Sequence, residues 1–171
     1  MDNQVQDKLN KLVRKTKNLL NSWPYMVVAS DNEEIRQHFI KSLSKDVDIL
    51  EDYDLYYPKR MVIHERLKRR HVLLLNFEQK IKEYIAHDSQ CYNEEDAWMG
   101  VYDALIGFRD KFSVNNHHTI VIVCDNKMAY EILTDANLKS AAWTTFVDKE
   151  LARKPLECYL PKSGYSPIFK L

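Results

Sequence analysis

Three short apolar runs constrain the fold of this chain more than anything else in it: YMVVA at 25–29, HVLLLNF at 71–77 and TIVIVC at 119–124. Each has strand length, is apolar at consecutive rather than alternate positions, and is bounded by polar residues. That is the pattern of strands buried on both faces of a parallel sheet. A fourth, shorter run at 47–50 ends in acidic residues, Glu51, Asp52 and Asp54. Between the runs, apolar residues recur at helical spacing. Ile35, Phe39, Ile40 and Leu43 follow the first run, a short helix over 77–87 follows the second with Ile81, Tyr84 and Ile85 inward, and Ala97, Trp98, Val101, Tyr102, Leu105, Ile106 and Phe108 precede the last. Strands alternating with helices predict a three-layer α/β fold, with a mainly parallel sheet of four to five strands flanked by helices.

At 171 residues the chain suits a single α/β domain, with a helix over 1–22 and a tail over 155–171 as its outer parts. Hydrophobic residues at 45% and charged residues at 29% are ordinary for a globular protein. No apolar run approaches the roughly 20 residues of a membrane span, so no membrane contact is expected. The first residues lack the order of a secretory signal, and Cys91, Cys124 and Cys158 show no paired spacing. A reducing cytoplasm is the expected home, with the cysteines as small buried hydrophobes and neither disulfide nor zinc implied.

The second half of the chain carries two further expectations. Met128 begins a helix, and 141–153 reads as another with Trp143, Phe146, Val147 and Leu151 as core, stopped by Pro155. A fifth strand is expected at 157–160. Glycine is scarce, only Gly100, Gly107 and Gly164, where average usage would give roughly 12. Gly100 and Gly107 lie within one helical pattern, where each costs about 1 kcal/mol against alanine, so close approach to a neighbouring element is the expected compensation.

Formal charge balances at Lys+Arg 25 against Asp+Glu 25, which removes any global field toward nucleic acid or membrane. Local charge does not balance. Lys8, Lys11, Arg14 and Lys15 decorate the first amphipathic helix, and Lys59, Arg60, Arg66, Lys68, Arg69 and Arg70 crowd a second one at 56–70. Interleaved with Tyr56, Tyr57 and His64, the second suits phosphate contacts with aromatic stacking, and equally a solvated face opposite Asp46, Asp48, Glu51, Asp52 and Asp54. These two sets are the candidate contacts for a protein partner, a second copy or nucleic acid.

Ligands of open α/β sheets sit at the carboxyl ends of the strands, so the turn Ser30, Asp31, Asn32, Glu33 is where a phosphate would be expected. A phosphate loop needs glycines and a lysine, and the stretch ASDNEEIRQHF has neither. Its carboxylates would repel a polyphosphate. Asp31, Glu51, Asp52, Glu78 and Asp125 all fall at strand exits. Such a cluster could hold Mg²⁺ for phosphoryl transfer or hydrolysis, with Asp31, Glu78 and Asp125 as the catalytic set, or it could simply cap helices. His87 with Cys91, and His117 with His118, are explained without a metal, and no nucleophile motif is present.

The succession of first strand and helix, second strand with acidic exit, HVLLLNFEQ, long helix and HTIVIVCDN resembles the core of the P-loop NTPases, the AAA+ kind in particular, over residues 24–126. The resemblance implies a P-loop NTPase-like or Rossmann-like sheet. It assigns Asn76 and Glu78 to the acidic pair that handles Mg²⁺ and water, and Asp125 or Asn126 to the polar sensor. Against the family pattern, Asn76 replaces the metal-binding acid, Phe77 interrupts the pair and the first loop has lost its glycines and lysine. The reading that follows is a non-catalytic adaptor, regulator or assembly protein on a degenerate nucleotide-binding-type fold, without cofactor, acting through protein contacts. By analogy, such small pseudoenzyme-like chains occur in replication, mobile-element and phage-defence modules. The alternatives are an Mg²⁺-dependent phosphoryl-transfer or hydrolytic enzyme and a nucleic-acid-binding module.

Overall fold

The computed structural model of the chain describes residues 2–51, 53, 71–88, 93–112 and 119–152. In chain order the elements are α1 (Asn3–Leu19), β1 (Tyr25–Ala29), α2 (Glu33–Leu43), β2 (Asp48–Leu50), β3 (Val72–Leu74), α3 (Phe77–Asp88), α4 (Glu94–Phe112), β4 (Ile120–Cys124), α5 (Asn126–Ile132), α6 (Ala136–Ala141), β5 (Ala142–Phe146) and α7 (Val147–Leu151). The strands form one sheet in the order β2-β3-β4-β1-β5. Every pairing is parallel, with Val27 opposite Ile122 on one side and Thr144 on the other. The α/β class with a parallel sheet and helices on both faces is therefore as the sequence predicts.

The two faces follow from the period of two along each strand. Tyr25, Val27 and Ala29, with Ile120, Ile122 and Cys124, face a core made with Phe77, Ile81, Val101, Leu105 and Phe108 of α3 and α4 and Met128, Ile132 and Leu138 of α5 and α6. Met26, Val28, Val121 and Val123 face the other core, made with Leu9 and Val13 of α1, Ile35, Phe39 and Leu43 of α2 and Val147 of α7. All five residues of β1 and of β4 are buried, as the unbroken apolar runs require. Gly100 meets the expectation placed on it: a Cβ there would strike the Tyr84 hydroxyl, so glycine lets α4 lie close to α3.

Two segments differ from what the sequence predicts. Residues 142–146, expected inside a helix, form β5. Their letters, AWTTF, are β-branched and aromatic, and the edge position beside β1 is filled by tertiary pairing that local periodicity does not report. The third strand is also shorter than the apolar run, because Asn76 turns into the left-handed region at φ 55° and Phe77 opens α3. Asparagine tolerates that conformation better than most residues. The strand expected at 157–160, the tail over 155–171 and the basic segment with Lys59, Arg60, Arg66, Lys68, Arg69 and Arg70 lie outside the described residues, as do Cys91, His117, His118 and Cys158.

Candidate functional site

Because β1 lies between β4 and β5, the turn that follows it meets the segments that follow both neighbours. Ser30, the first residue after β1, is buried and donates its N–H to the Cys124 carbonyl at 3.0 Å, which continues the ladder toward β4. Its hydroxyl donates to Asp148 Oδ1 at 2.5 Å, and the Asp31 N–H donates to Asp148 Oδ2 at 2.7 Å. The Asn126 side-chain amide reaches the same oxygen at 3.2 Å. One carboxylate from the first turn of α7 thus gathers donors from the exits of β1 and β4.

Further donors of this edge are also taken from within. Asn32 caps α2, its Oδ1 accepting from Glu34 N–H at 2.9 Å and Ile35 N–H at 3.4 Å, while its own N–H donates to Ser30 Oγ at 3.1 Å. Asp31 Oδ1 accepts the Asn126 N–H at 3.0 Å. Asp125 caps α5 through the Met128 N–H at 2.7 Å, and Glu78 Oε1 accepts the Asp125 N–H at 2.5 Å. The N-terminus of a helix offers its orphan N–H groups to any anion. Here side chains of the chain itself fill that role. Among the described residues, Asn126 Oδ1 is the one buried side-chain oxygen or nitrogen without a hydrogen-bond partner.

Beside this closed edge, a cavity of about 450 Å³ opens between α2 and α3, lined in part by Arg36, Gln37, Asn76, Glu78, Lys82 and Glu83. Arg36 spans the two regions. Its guanidinium donates to the Ser30 carbonyl at 2.6 Å, pairs with Glu33, and lies 4.0 Å from Glu78 Oε1. Glu78 holds its proton more tightly than an ordinary glutamate: burial raises its pKa first, and the neighbouring Asp125 charge raises it further, against the Asp125 N–H and Arg36, which lower it. Glu33 is shifted the other way, chiefly by its hydrogen bond from Gln37, with Arg36 adding to it. Cys124 is buried, and desolvation pushes its thiol up, which makes it inert as a nucleophile.

Of the predicted acidic set, Asp31, Glu78 and Asp125 come together at the exits of β1, β3 and β4, whereas Glu51 follows the distant edge strand β2 and Asp52 lies outside the described residues. Each of the three carboxylates accepts a backbone N–H. Among the described residues no group of three or more His, Cys, Asp or Glu side chains is arranged to hold a metal ion. Sequence reasoning missed Asp148, because it sat inside the expected helix over 141–153, and Arg36, which lies off the apolar stripe of α2 and drew no role. The signal available for Asp148 was the β-branched run just before it.

The basic candidates of α1 are exposed, on the helix layer that α1 shares with α2 and α7. Lys8, Lys11 and Lys15 line a shallow cavity of about 310 Å³ with Leu12 and Glu150, and Lys15 Nζ stands 5.8 Å from the Trp143 ring centre. Arg14 is exposed but lies outside that group, and Lys17 is paired with Asp46 at 3.0 Å. No helix among the described residues is long and apolar enough to cross a membrane. Protein-family models, curated proteins and solved structures give no match to this chain.

Proposed function

We propose that this protein is a non-catalytic adaptor or assembly factor on a nucleotide-binding-type α/β scaffold, working through protein contacts, with the basic face of α1 as a contact surface. The observation that carries the reading is the occupation of the phosphate position by Asp148. Ser30 Oγ, Asp31 N–H and the Asn126 amide all point at its carboxylate, and a phosphate placed there would meet a negative charge instead of free donors. The convergence of the first turn, Glu78 and Asp125 at one sheet edge supports the resemblance to a P-loop NTPase core. The loss of its donors supports the degenerate form of that core.

The test is a calorimetric titration of the full chain with Mg²⁺-ATP and Mg²⁺-GTP. The expected result is no binding heat and no hydrolysis. Saturable binding that disappears in Asp31→Asn or Asp125→Asn, with the fold retained, would overturn the reading in favour of the Mg²⁺-dependent enzyme. For the contact surface, Lys8→Glu, Lys11→Glu and Lys15→Glu together should abolish co-purification of an acidic protein partner. A salt-sensitive shift of a short DNA or RNA strand, lost in the same triple variant, would replace the adaptor by the nucleic-acid module.

A further inference from the structure

Among the described residues the sheet has two edge strands, and they are built differently. β2 is three residues long, opens on Asp48 and is followed by Glu51, the short charged form in which native proteins blunt an edge against pairing. β5 is five residues long and reads Ala142, Trp143, Thr144, Thr145, Phe146, with no charge, no proline and no interruption of its register against β1. Its principal neighbours among the described elements are β1 and the two helices that flank it in the chain, α6 and α7. Four of its five residues are only half-buried.

The direction of its backbone groups follows from the ladder. Ser30 N–H and the Pro24 carbonyl bond to β4, so even-numbered residues of β1 serve β4 and odd-numbered ones serve β5. In a parallel pair a residue bonds to the neighbours of its opposite number. Val27, opposite Thr144, therefore engages Trp143 and Thr145, and the N–H and C=O of Ala142, Thr144 and Phe146 turn outward.

We infer that this edge pairs with the same edge of a second copy of the chain, antiparallel about a two-fold axis at Thr144, making one continuous sheet. The sequence of β5 complements itself in that register. Thr144 meets Thr144 of the second copy as a hydrogen-bonded pair, Trp143 meets Thr145 and Ala142 meets Phe146. These are threonine, aromatic with β-branched, and small with large pairs, all of favourable kinds and none of like charge. An isologous contact of this kind closes at two copies. The inference does not depend on the strand-exit reading, and either can fail alone.

Sedimentation equilibrium of the full chain, diluted stepwise, should give twice the 20.3 kDa chain mass at high concentration and the single mass at low. Hydrogen exchange followed by NMR should show the Thr144 amide protected only where the dimer is populated, while the Trp143 and Thr145 amides, bonded to β1, stay protected throughout. Thr144→Pro removes one outward donor at a position where an edge strand tolerates proline, and should leave the single mass at every concentration with the far-UV spectrum unchanged. Thr144→Lys is the second variant and should act in the same direction. A single mass for the unaltered chain at all concentrations, Thr144 protection that ignores dilution, or a dimer that survives Thr144→Pro or Thr144→Lys would each overturn the inference.

Discussion

The exits of β1 and β3 lie on one side of one sheet, yet they are finished in opposite ways. After β1, Ser30, Asp31, Asn126 and Asp148 form a closed polar knot in which named donors find acceptors at 2.5 to 3.2 Å. After β3 the chain turns through Asn76 at φ 55°, and Glu78 faces a cavity of about 450 Å³ with Arg36 at 4.0 Å. Both regions are rich in carboxylates. What separates them is the supply of N–H and O–H donors: Asp148 collects three from two other segments, whereas Glu78 takes one backbone N–H and is raised by burial and by Asp125. The lesson is that acidic letters at strand exits do not make a metal shell or an anion repeller until the donors around them are counted.

The contrast between the two exits is sharpest at Asp148. Asp148→Ala strands the Ser30 hydroxyl, the Asp31 N–H and the Asn126 amide, and should cost about 3 kcal/mol in urea unfolding, since hydrogen bonds to charged groups are each worth about 1.5 to 3 kcal/mol. The same variant should gain melting temperature with added phosphate where the unaltered chain gains none. An equal response of both would mean that the carboxylate does not hold the anion position.

Glu78→Gln tests the other region. A carboxyl whose folded pKa is raised keeps its proton longer in the folded chain than in the unfolded one, so its contribution is full below the unfolded pKa and is lost as pH rises through the folded value. The unaltered chain should therefore lose stability relative to Glu78→Gln as pH climbs from the ordinary glutamate range upward, while the two run parallel below it. Denaturant midpoints across pH 3 to 8, on the scale set by the ordinary carboxylate pKa of about 4.3, make the check.

Asn32→Ala removes the α2 cap that accepts from Glu34 and Ile35, and should cost about 1 kcal/mol by urea unfolding. The smallest effect is expected of a glycine at the β3 turn. Asn76→Gly relieves a positive φ at the expense of a freer unfolded chain, and should move stability by only about 0.5 kcal/mol, whereas Asn76→Val should destabilise by about 1 to 2 kcal/mol, since a β-branched side chain is strained at φ 55°.

Much of the architecture was legible in the letters. YMVVA and IVIVC read as doubly buried strands because a central parallel strand has no polar face to show, and Asp125 falls at a strand exit where a short acceptor side chain suits a helix start. β5 did not read so. A five-residue edge strand with two threonines and two aromatics carries no periodicity that separates it from a helix turn, and its state is fixed by the carbonyls and amides of Tyr25 and Val27, more than a hundred residues earlier.

The sequence by itself determined the class of fold, the burial of β1 and β4, the caps and the absence of a glycine-rich phosphate loop, because each depends on local composition or short-range periodicity. Tertiary structure alone decided the strand order, and with it which acidic residues meet. By laying β1 between β4 and β5, it brings Asp148 onto Ser30, Asp31 and Asn126 across 118, 117 and 22 residues of chain. No local pattern encodes that contact, because it exists only once the backbone donors of the neighbouring strand exits have been aligned by the sheet.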